Sequence, residues 1–295
     1  MCLNPATHEP ETTGTTAFPA YLNVAAENLG QGTPVAVRVR GDATDLAREM
    51  ASAMLSEIQE VQRQGRAATL IIPVGPVDQY PLLVQMINQQ RIDCRQVLFI
   101  NMDEYLTETD EWLTPEHPLS FRGYMERSFY QRLRPELAPA PENRVFPKPE
   151  NPAEIGRIIA ARGGVDACFG GIGINGHIAF NEPPESPDRF SVAAFSALPT
   201  RVLDLTRETR TINSHTVGGE ISLIPRRAIT VGMREILAAR RLRFYCNRPW
   251  QSAVVRRVLH GPITPLCPAS LLRLHRDAML TVTDFVAAPP DIRLR

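Results

Sequence analysis

Apolar residues along the chain alternate between short continuous runs and longer stretches with helical spacing. From residue 46 to residue 61 they recur every three to four positions, which predicts an amphipathic helix capped by Asp42 or Thr44. Residues 68–74 form an unbroken apolar run, as expected of a strand buried on both faces. Further apolar runs lie at residues 36–39, 97–100, 165–169, 201–205, 229–231, 242–245 and 279–282, and further helical stretches lie near 80–89, 120–133 and 251–259.

Unbroken apolar runs separated by helices are typical of a parallel sheet that is covered on both sides. The sequence therefore predicts a doubly wound, mostly parallel α/β fold. Ligands of such folds bind beyond the carboxyl ends of the strands. No repeat, low-complexity block or Gly/Ser linker divides the chain, so we expect an N-terminal tail over residues 1–30, partly disordered, and a single catalytic domain over residues 31–295.

The charge balance argues against a general attraction to nucleic acid or to an anionic membrane. Lys and Arg together number 32, as do Asp and Glu, so the net charge is zero and an anionic substrate has to be held locally. Apolar stretches stop well short of the roughly 20 residues that a membrane helix needs. The first residues lack the features of a secretion signal, and the expected location is the cytoplasm.

The five cysteines are odd in number, widely spread and form no CxxC pair. This pattern argues against a disulfide framework and against a thiolate metal site. We expect most of them to be small buried apolar residues.

Two adjacent carboxylates, Asp103 and Glu104, follow the apolar run at residues 97–100. Both cannot point into the core at a strand end, so one of them is a candidate general base in the crevice. The alternative is that both are solvated turn residues, and on the pair alone this second interpretation is favoured.

A glycine-rich segment follows the apolar run at residues 165–169. Gly171, Gly173 and Gly176 form a G-x-G-x-x-G pattern, which invites a dinucleotide-binding interpretation. The context disfavours it, because the sequence Asn-Glu-Pro-Pro at residues 181–184 ends any helix within about two turns. Glycine N–H groups can equally approach an anion or a sugar oxygen.

His177 lies within this segment, and Glu182 follows five residues later. A histidine alone is more often structural than catalytic. In this segment the glycines and the nearby acid favour an acid/base pair.

The loop after the run at residues 68–74 has the sequence Gly-Pro-Val-Asp, from Gly75 to Asp78. A phosphate loop normally contains several glycines and a hydroxyl side chain. A proline-stiffened turn with Asp78 as a helix cap is therefore at least as good an interpretation as a ligand site.

Residues 101–105, 116–121 and 171–183 together resemble the glucosamine-6-phosphate deaminase/isomerase family. The Asn-Glu-Pro ending after the histidine is highly specific, since the related 6-phosphogluconolactonases share the glycine-rich turn and the histidine but generally lack it. The likeness continues through residues 209–214, 225–232 and 270–275, and so covers most of the chain after residue 35.

The resemblance implies a modified Rossmann-type fold, a mechanism without cofactor or metal, and a homo-oligomer that acts on a small sugar. The histidine matching His177 assists opening of the sugar ring, and the glutamate matching Glu182 supports it. The aspartate matching Asp103 moves a proton between C2 and C1 of the open aldose, through an enediol-like intermediate, as the 2-amino group leaves as ammonia.

The chain also departs from the family pattern. Asn175 replaces the usual Asp two positions before the histidine, and an amide cannot stabilise an imidazolium as a charge would. Residues 75–78 replace a Gly-Gly-Thr-Pro phosphate loop and place a carboxylate where a phosphate would lie. His215 replaces an Arg of the phosphate site, while Arg226 replaces a Lys and keeps its charge.

The proton-transfer residues thus persist while most of the phosphate site is rewritten, so we expect the reaction type to be kept and the substrate to be altered, for example to an unphosphorylated or differently substituted amino sugar. Two alternatives stay open: a lactonase-type hydrolase that uses His177 to activate water, and a catalytically silent sugar-binding or regulatory homologue. Retention of Asp103 argues against the silent homologue. The expected catalytic residues are Asp103, Asn175, His177 and Glu182, and the expected substrate-binding residues are Gly75, Asp78, Glu104, Gly171, Gly173, Gly176, His215 and Arg226.

Overall fold

The computed structural model describes residues 18–186 and 189–293, and all of the following elements lie within these ranges. The strands are β1 Ala36–Arg40, β2 Thr69–Ile72, β3 Leu98–Asn101, β4 Asp103–Leu106, β5 Arg144–Val145, β6 Ala167–Gly170, β7 Arg201–Asp204, β8 Arg227–Thr230, β9 Arg241–Cys246 and β10 Ala278–Thr283. The α-helices are α1 Ala43–Arg63, α2 Gln79–Gln90, α3 Phe121–Ser128, α4 Glu154–Ala161, α5 Val192–Ser196, α6 Arg207–Asn213, α7 Met233–Leu237, α8 Gln251–His260 and α9 Asp284–Ala287.

One sheet contains seven strands in the order β1-β10-β9-β6-β2-β3-β5, and every neighbouring pair is parallel. The strands β2, β3 and β6 are buried at every position, as strands between two helical layers must be. Helix α1 is capped by Asp42, whose side chain accepts a hydrogen bond from Asp45 N at 2.8 Å. The predicted α/β fold with a mostly parallel sheet is therefore confirmed.

A second sheet, β4-β8-β7, is antiparallel, and the sequence pattern does not predict it. The apolar runs at residues 201–205 and 229–231 contribute β7 and β8 to this sheet, and not further strands to the parallel one. Its outer strand β7 is only partly buried, which suits a sheet with one open face. The chain crosses from one sheet to the other at Met102, whose carbonyl oxygen accepts a hydrogen bond from Val231 N at 2.7 Å. Asp103 therefore lies at the junction of the two sheets.

Hydrophobic packing occurs on both faces of the large sheet. Along β2, Ile71 packs into one core cluster while Leu70 and Ile72 pack into the other, because successive side chains of a strand point to opposite faces. Helices α1 and α2 cover the second cluster, and α8 covers the first. A third, smaller cluster lies against the antiparallel sheet and includes Tyr105 and Phe180.

The predicted tail over residues 1–30 divides into two parts. Its first seventeen residues lie outside the described part of the chain. The remainder packs against α8: Arg256 Nε donates to the Val24 carbonyl oxygen at 2.9 Å. Gly30 N donates to His260 Nε2 at 3.1 Å. Residues 24 and 30 thus contact helix α8.

Four of the five cysteines lie within the described residues, and Cys2 lies outside them. Burial raises the thiol pKa of both Cys94 and Cys246 to about 12, so these side chains stay neutral at physiological pH and pack as small apolar groups. The free, buried cysteines are Cys94, Cys168, Cys246 and Cys267.

Candidate active site

A cavity of about 390 Å³ opens at the carboxyl edge of the large sheet. Four neighbouring strands, β9, β6, β2 and β3, end at this edge, where parallel α/β folds bind their ligands. The first turn of α3 and the end of α6 close its sides. The lining residues lie within residues 73–77, 102–105, 118–124, 171–180, 213–216 and 245–251.

Asp103 lines this cavity and is only 6% exposed. Among the described residues, no side chain or backbone group forms a hydrogen bond with its carboxyl group. Burial, reinforced by the negative charge of the adjacent Glu104, raises the pKa of Asp103 to about 8. A carboxyl group with a pKa near physiological pH is suited to accept a proton and give it back.

Glu104 takes no part in the cavity lining, although the resemblance places it among the substrate-binding residues. Its carboxylate is fully buried and accepts hydrogen bonds from Phe121 N at 2.9 Å and from Arg122 N at 2.8 Å. Burial raises the pKa of Glu104 to about 6, and these hydrogen bonds limit the rise. Because alternate residues of a strand point to opposite sides, Glu104 anchors the start of α3 while Asp103 faces the cavity.

The glycine-rich segment after β6 makes room for His177. A Cβ atom on Gly173 would lie 2.1 Å from the His177 ring, so only glycine allows the imidazole to occupy this position. A Cβ atom on Gly171 would lie 3.0 Å from the Gly75 carbonyl oxygen across the cavity floor. Gly176 has a φ of +90° and packs on Cys267, so it shapes the loop without lining the cavity.

Three side chains surround Nδ1 of His177. Asn175 Oδ1 lies 2.9 Å from it, Thr209 Oγ1 lies 3.1 Å from it, and Glu182 Oε2 lies 3.4 Å from it. Acceptors on this side of the ring favour a proton on Nδ1. Nε2 has no hydrogen-bond partner among the described residues and is the ring nitrogen left for a ligand.

Asn175 connects the histidine to Glu182. Its Nδ2 donates to Glu182 Oε2 at 2.8 Å, while its Oδ1 faces the His177 ring. Burial opposes ionisation of Glu182, but His177 together with hydrogen bonds from Thr209 and Asn175 outweighs it, and the pKa of Glu182 lies below its usual value. The negative charge that Asn175 lacks is thus present on Glu182, close to the same ring nitrogen.

The remaining residues expected to bind substrate do not all lie at this cavity. Gly75 and His215 line the cavity. Asp78 does not line it; its Oδ2 accepts a hydrogen bond of 3.5 Å from Nδ2 of Asn247, which does. Arg226 lies in a second cavity of about 450 Å³, whose other lining residues are Asp204, Leu205, Arg207, Arg210 and Ile221.

Sequence reasoning missed Arg248 and Thr209, among other residues of this site. Arg248 lines the cavity just after β9 ends at Cys246, so the rule that ligands lie beyond strand ends could have identified it. Thr209 contacts His177 from helix α6, and no local sequence pattern distinguishes it from other helical threonines.

Two kinds of feature are missing from residues 18–186 and 189–293. No group of three or more His, Cys, Asp or Glu side chains in these ranges is placed to hold a metal ion. No helix in the same ranges combines the length and the apolar character required to cross a bilayer.

Comparison with known proteins gives matches over most of the chain, although no family model matches it. The chain is 31% identical to a glucosamine-6-phosphate deaminase of Rhodopirellula baltica over 250 residues, which is 83% of this chain and 94% of that protein. It is 28% identical to the enzyme of the same name from Caenorhabditis elegans, over 81% of this chain and 86% of that protein.

Solved structures agree with this likeness. A monomeric glucosamine-6-phosphate deaminase superposes with a TM-score of 0.74 at 25% identity, covering 86% of this chain and 99% of that chain. The 6-phosphogluconolactonase of Thermotoga maritima superposes with a TM-score of 0.61 at 14% identity, covering 85% of this chain and all of that chain. The likeness to the lactonase concerns the fold alone.

Proposed function

The chain belongs to the glucosamine-6-phosphate deaminase family, and on this premise we propose that it converts an amino sugar to a ketose with release of ammonia. A 2-amino-2-deoxyaldose takes up one water molecule, loses its nitrogen from C2 as ammonia, and leaves as the ketose. The observation that carries the proposal is that Asp103, a buried carboxyl group, and His177, an oriented imidazole, line one cavity.

Asp103 is the proposed base of the reaction. It takes the proton from C2 of the open-chain 2-ammonio sugar while the aldehyde oxygen gains the proton that the ammonium group loses, which gives an enolamine. Return of the first proton to C1 then gives an iminium at C2, which water hydrolyses to the ketone and ammonia. The two carbons are adjacent, so one carboxylate on one face of the substrate can serve both. The pKa of about 8 makes the ionised form a stronger base than an ordinary exposed aspartate.

His177 is the proposed residue for ring opening. The C2 proton becomes acidic only when C1 is a free aldehyde, so the pyranose ring has to open first. Nε2 can take the proton of the C1 hydroxyl and pass it to the ring oxygen, while the hydrogen bond from Nδ1 keeps the ring oriented.

The arrangement around Asn175 supports an active enzyme over a silent homologue. Glu182 supplies a carboxylate 3.4 Å from Nδ1, and the amide of Asn175 donates to that carboxylate at 2.8 Å. An aspartate at position 175 would place two carboxylates within hydrogen-bonding distance of each other and raise the pKa of one of them. The amide avoids that repulsion and still accepts from the imidazole.

The cellular location and the oligomeric state of the protein are still predictions. The cytoplasmic location rests on composition, and the homo-oligomer rests on the family resemblance. Sedimentation of the purified protein tests the second.

The experiment that tests the proposal is an assay of glucosamine-6-phosphate, free glucosamine and a sugar lactone, with ammonia, ketose and acid measured separately. The proposal expects ammonia and ketose in equal amounts from an amino sugar. Acid release from the lactone without ammonia from either amino sugar would contradict it and indicate a hydrolase.

A further inference from the structure

Tyr105 lines the reaction cavity beside the proposed base. It lies two residues after Asp103 in strand β4, and both residues line the cavity. Alternate residues of a strand point to the same side and lie roughly 7 Å apart along it. The phenol and the carboxyl group therefore face the same ligand from one strand, while Glu104 between them points the other way.

The hydroxyl group of Tyr105 has a fixed position. Its oxygen accepts a hydrogen bond from Asn213 Nδ2 at 2.9 Å, and Asn213 also lines the cavity, at the end of α6. Phe121 and Phe180 pack against the Tyr105 ring, with centroids 4.8 and 5.4 Å from its own. Tyr105 is only 3% exposed. Packing and the hydrogen bond therefore hold the phenol in place before a ligand binds.

The proton of this hydroxyl group is left for a ligand. A phenol has one proton to donate, and the hydrogen bond from Asn213 uses only its oxygen. No acceptor for the proton lies within hydrogen-bonding distance among residues 18–186 and 189–293. The hydroxyl group of Tyr80, in contrast, donates to the Pro73 carbonyl oxygen inside the protein. An oxygen of a sugar in the cavity would supply the acceptor that Tyr105 lacks.

Tyr105 can donate only as a neutral group. Burial raises the pKa of Tyr105 above its usual value, and the negative charges of Asp103, Glu104 and Glu182 raise it further, against a smaller opposing effect of the hydrogen bond from Asn213. The phenol therefore keeps its proton over the whole pH range in which Asp103, with its pKa of about 8, loses its own.

The proposed reaction places negative charge on one sugar oxygen, the C1 oxygen (O1). When Asp103 takes the C2 proton, the electrons of the C–H bond form the C1–C2 double bond and those of the carbonyl bond move to O1. His177 acts on the same oxygen during ring opening, so O1 has to lie within reach of both residues. Phe180 packs against the Tyr105 ring and also against the His177 ring, whose centroid is 6.2 Å away, so the phenol lies on this side of the cavity.

We propose that Tyr105 is a further catalytic residue, whose hydroxyl group donates a hydrogen bond to O1 of the open-chain sugar and stabilises the negative charge that develops there. This inference rests on the proposed function. Tyr105 gives up no proton in the step, because O1 is neutralised by the proton that the ammonium group loses. A donor that is fixed in advance stabilises such a charge better than water, since it does not have to reorient during the reaction.

The test compares Tyr105→Phe with Tyr130→Phe as a matched control. Tyr130 is also buried, and its hydroxyl oxygen also accepts from an asparagine amide, Asn101 Nδ2 at 3.0 Å, but Tyr130 does not line the cavity. Each variant loses one hydroxyl group and keeps its ring. The quantities measured are kcat and KM for glucosamine-6-phosphate and the melting temperature.

We expect Tyr105→Phe to lower kcat about 100-fold and to change KM by less than about threefold, because the lost hydrogen bond reaches full strength only in the transition state. Tyr130→Phe should keep kcat within about threefold, even where the lost hydrogen bond lowers its melting temperature. A wild-type kcat in Tyr105→Phe, a loss carried by KM alone, or an equal loss of kcat in Tyr130→Phe would overturn the inference and leave the proposed function standing.

Binding tests the residue separately if the proposed function fails and the wild type releases no ammonia. The probe is glucosaminate-6-phosphate, whose C1 carboxylate carries negative charge where O1 would lie. Calorimetric titration then compares the wild type with Tyr105→Phe. Binding that is at least about tenfold weaker in the variant supports the inference, since a hydrogen bond to a charged group is lost. Equal binding to the two proteins, or binding to neither, overturns it.

Discussion

Two cavities are lined in part by residues of helix α6, and they differ in chemistry more than in size. The first, of about 390 Å³, contains the buried Asp103 and the oriented His177. The second, of about 450 Å³, is lined by the exposed Arg207 and Arg226, the partly buried Arg210 and the exposed Asp204. Helix α6 directs Thr209 towards the first cavity and Arg210 towards the second.

The comparison shows that the cavity with more positive charge is not the one that contains the proposed catalytic groups. The second cavity holds more positive charge, yet none of its lining residues is a histidine, and its lining carboxylate, Asp204, is exposed and paired with Arg227. Volume and charge alone would favour the wrong cavity for proton transfer. A perturbed pKa together with a geometric partner identifies the reactive one.

The largest effect is expected from neutralising the aspartate of each cavity in turn. Asp103→Asn should reduce ammonia release from the amino sugar at least about 1000-fold, since the proposed base is lost. Asp204→Asn should stay within about threefold of the wild type, because Asp204 is exposed and pairs with Arg227 outside the reaction cavity. Steady-state kinetics of both variants checks this, and similar losses would show that the two cavities are not distinct in function.

A smaller effect is expected from moving the imidazole without changing its chemistry. Gly173→Ala introduces a Cβ atom 2.1 Å from the His177 ring, so the ring has to shift, and a displacement of this order costs about 100-fold in kcat. Gly41→Ala is the control, because the added atom would lie at an ordinary 3.7 Å from its nearest neighbour. Kinetics paired with melting temperatures distinguishes loss of activity from loss of fold; full activity in Gly173→Ala would contradict the assigned position of His177.

The pH dependence of activity provides a finer test. Asp103 has to be ionised to accept a proton, and its pKa is about 8 in the folded protein. We expect kcat/KM to rise up to about tenfold per pH unit below pH 8 and to level off above it. A profile that is flat between pH 6 and 9 would contradict the assignment.

The same pKa predicts an opposite trend in stability. Because the pKa of Asp103 is raised from 3.8 to about 8, its contribution to the free energy of unfolding is complete below pH 4 and is lost as the pH rises towards 8. Asp103→Asn removes this loss and should stabilise the protein by more than about 1 kcal/mol at pH 8, with little effect at pH 4. Urea unfolding at the two pH values measures the difference, and destabilisation of Asp103→Asn at pH 8 would contradict a raised pKa of the buried carboxyl group.

Much of the fold could be predicted because the parallel strands are fully buried and so form continuous apolar runs. The antiparallel sheet could not be predicted. Strand β7 is only partly buried, and nothing in its short apolar run indicates which of the two sheets it belongs to. The rule that ligands bind beyond strand ends correctly predicted that Asp103 and His177 lie at the same edge, because β3 and β6 end on the same side of one parallel sheet.

The direction of individual side chains was harder to predict. Asp103 and Glu104 are neighbours in sequence, and only the start of β4 decides that the first faces the cavity and the second anchors α3. The resemblance predicts Arg226 in the substrate site. Arg226 instead precedes strand β8 of the antiparallel sheet and lines the other cavity. Arg248 belongs to none of the motifs that carry the resemblance, so only its position after the end of β9 identifies it.

Proton exchange at C2, followed by NMR in deuterated water, tests directly whether Asp103 is the base. We predict that the wild type exchanges the C2 proton of glucosamine-6-phosphate or transfers it to C1, and that Asp103→Asn binds the sugar without either process. Exchange at the wild-type rate in Asp103→Asn would show that another group moves the proton.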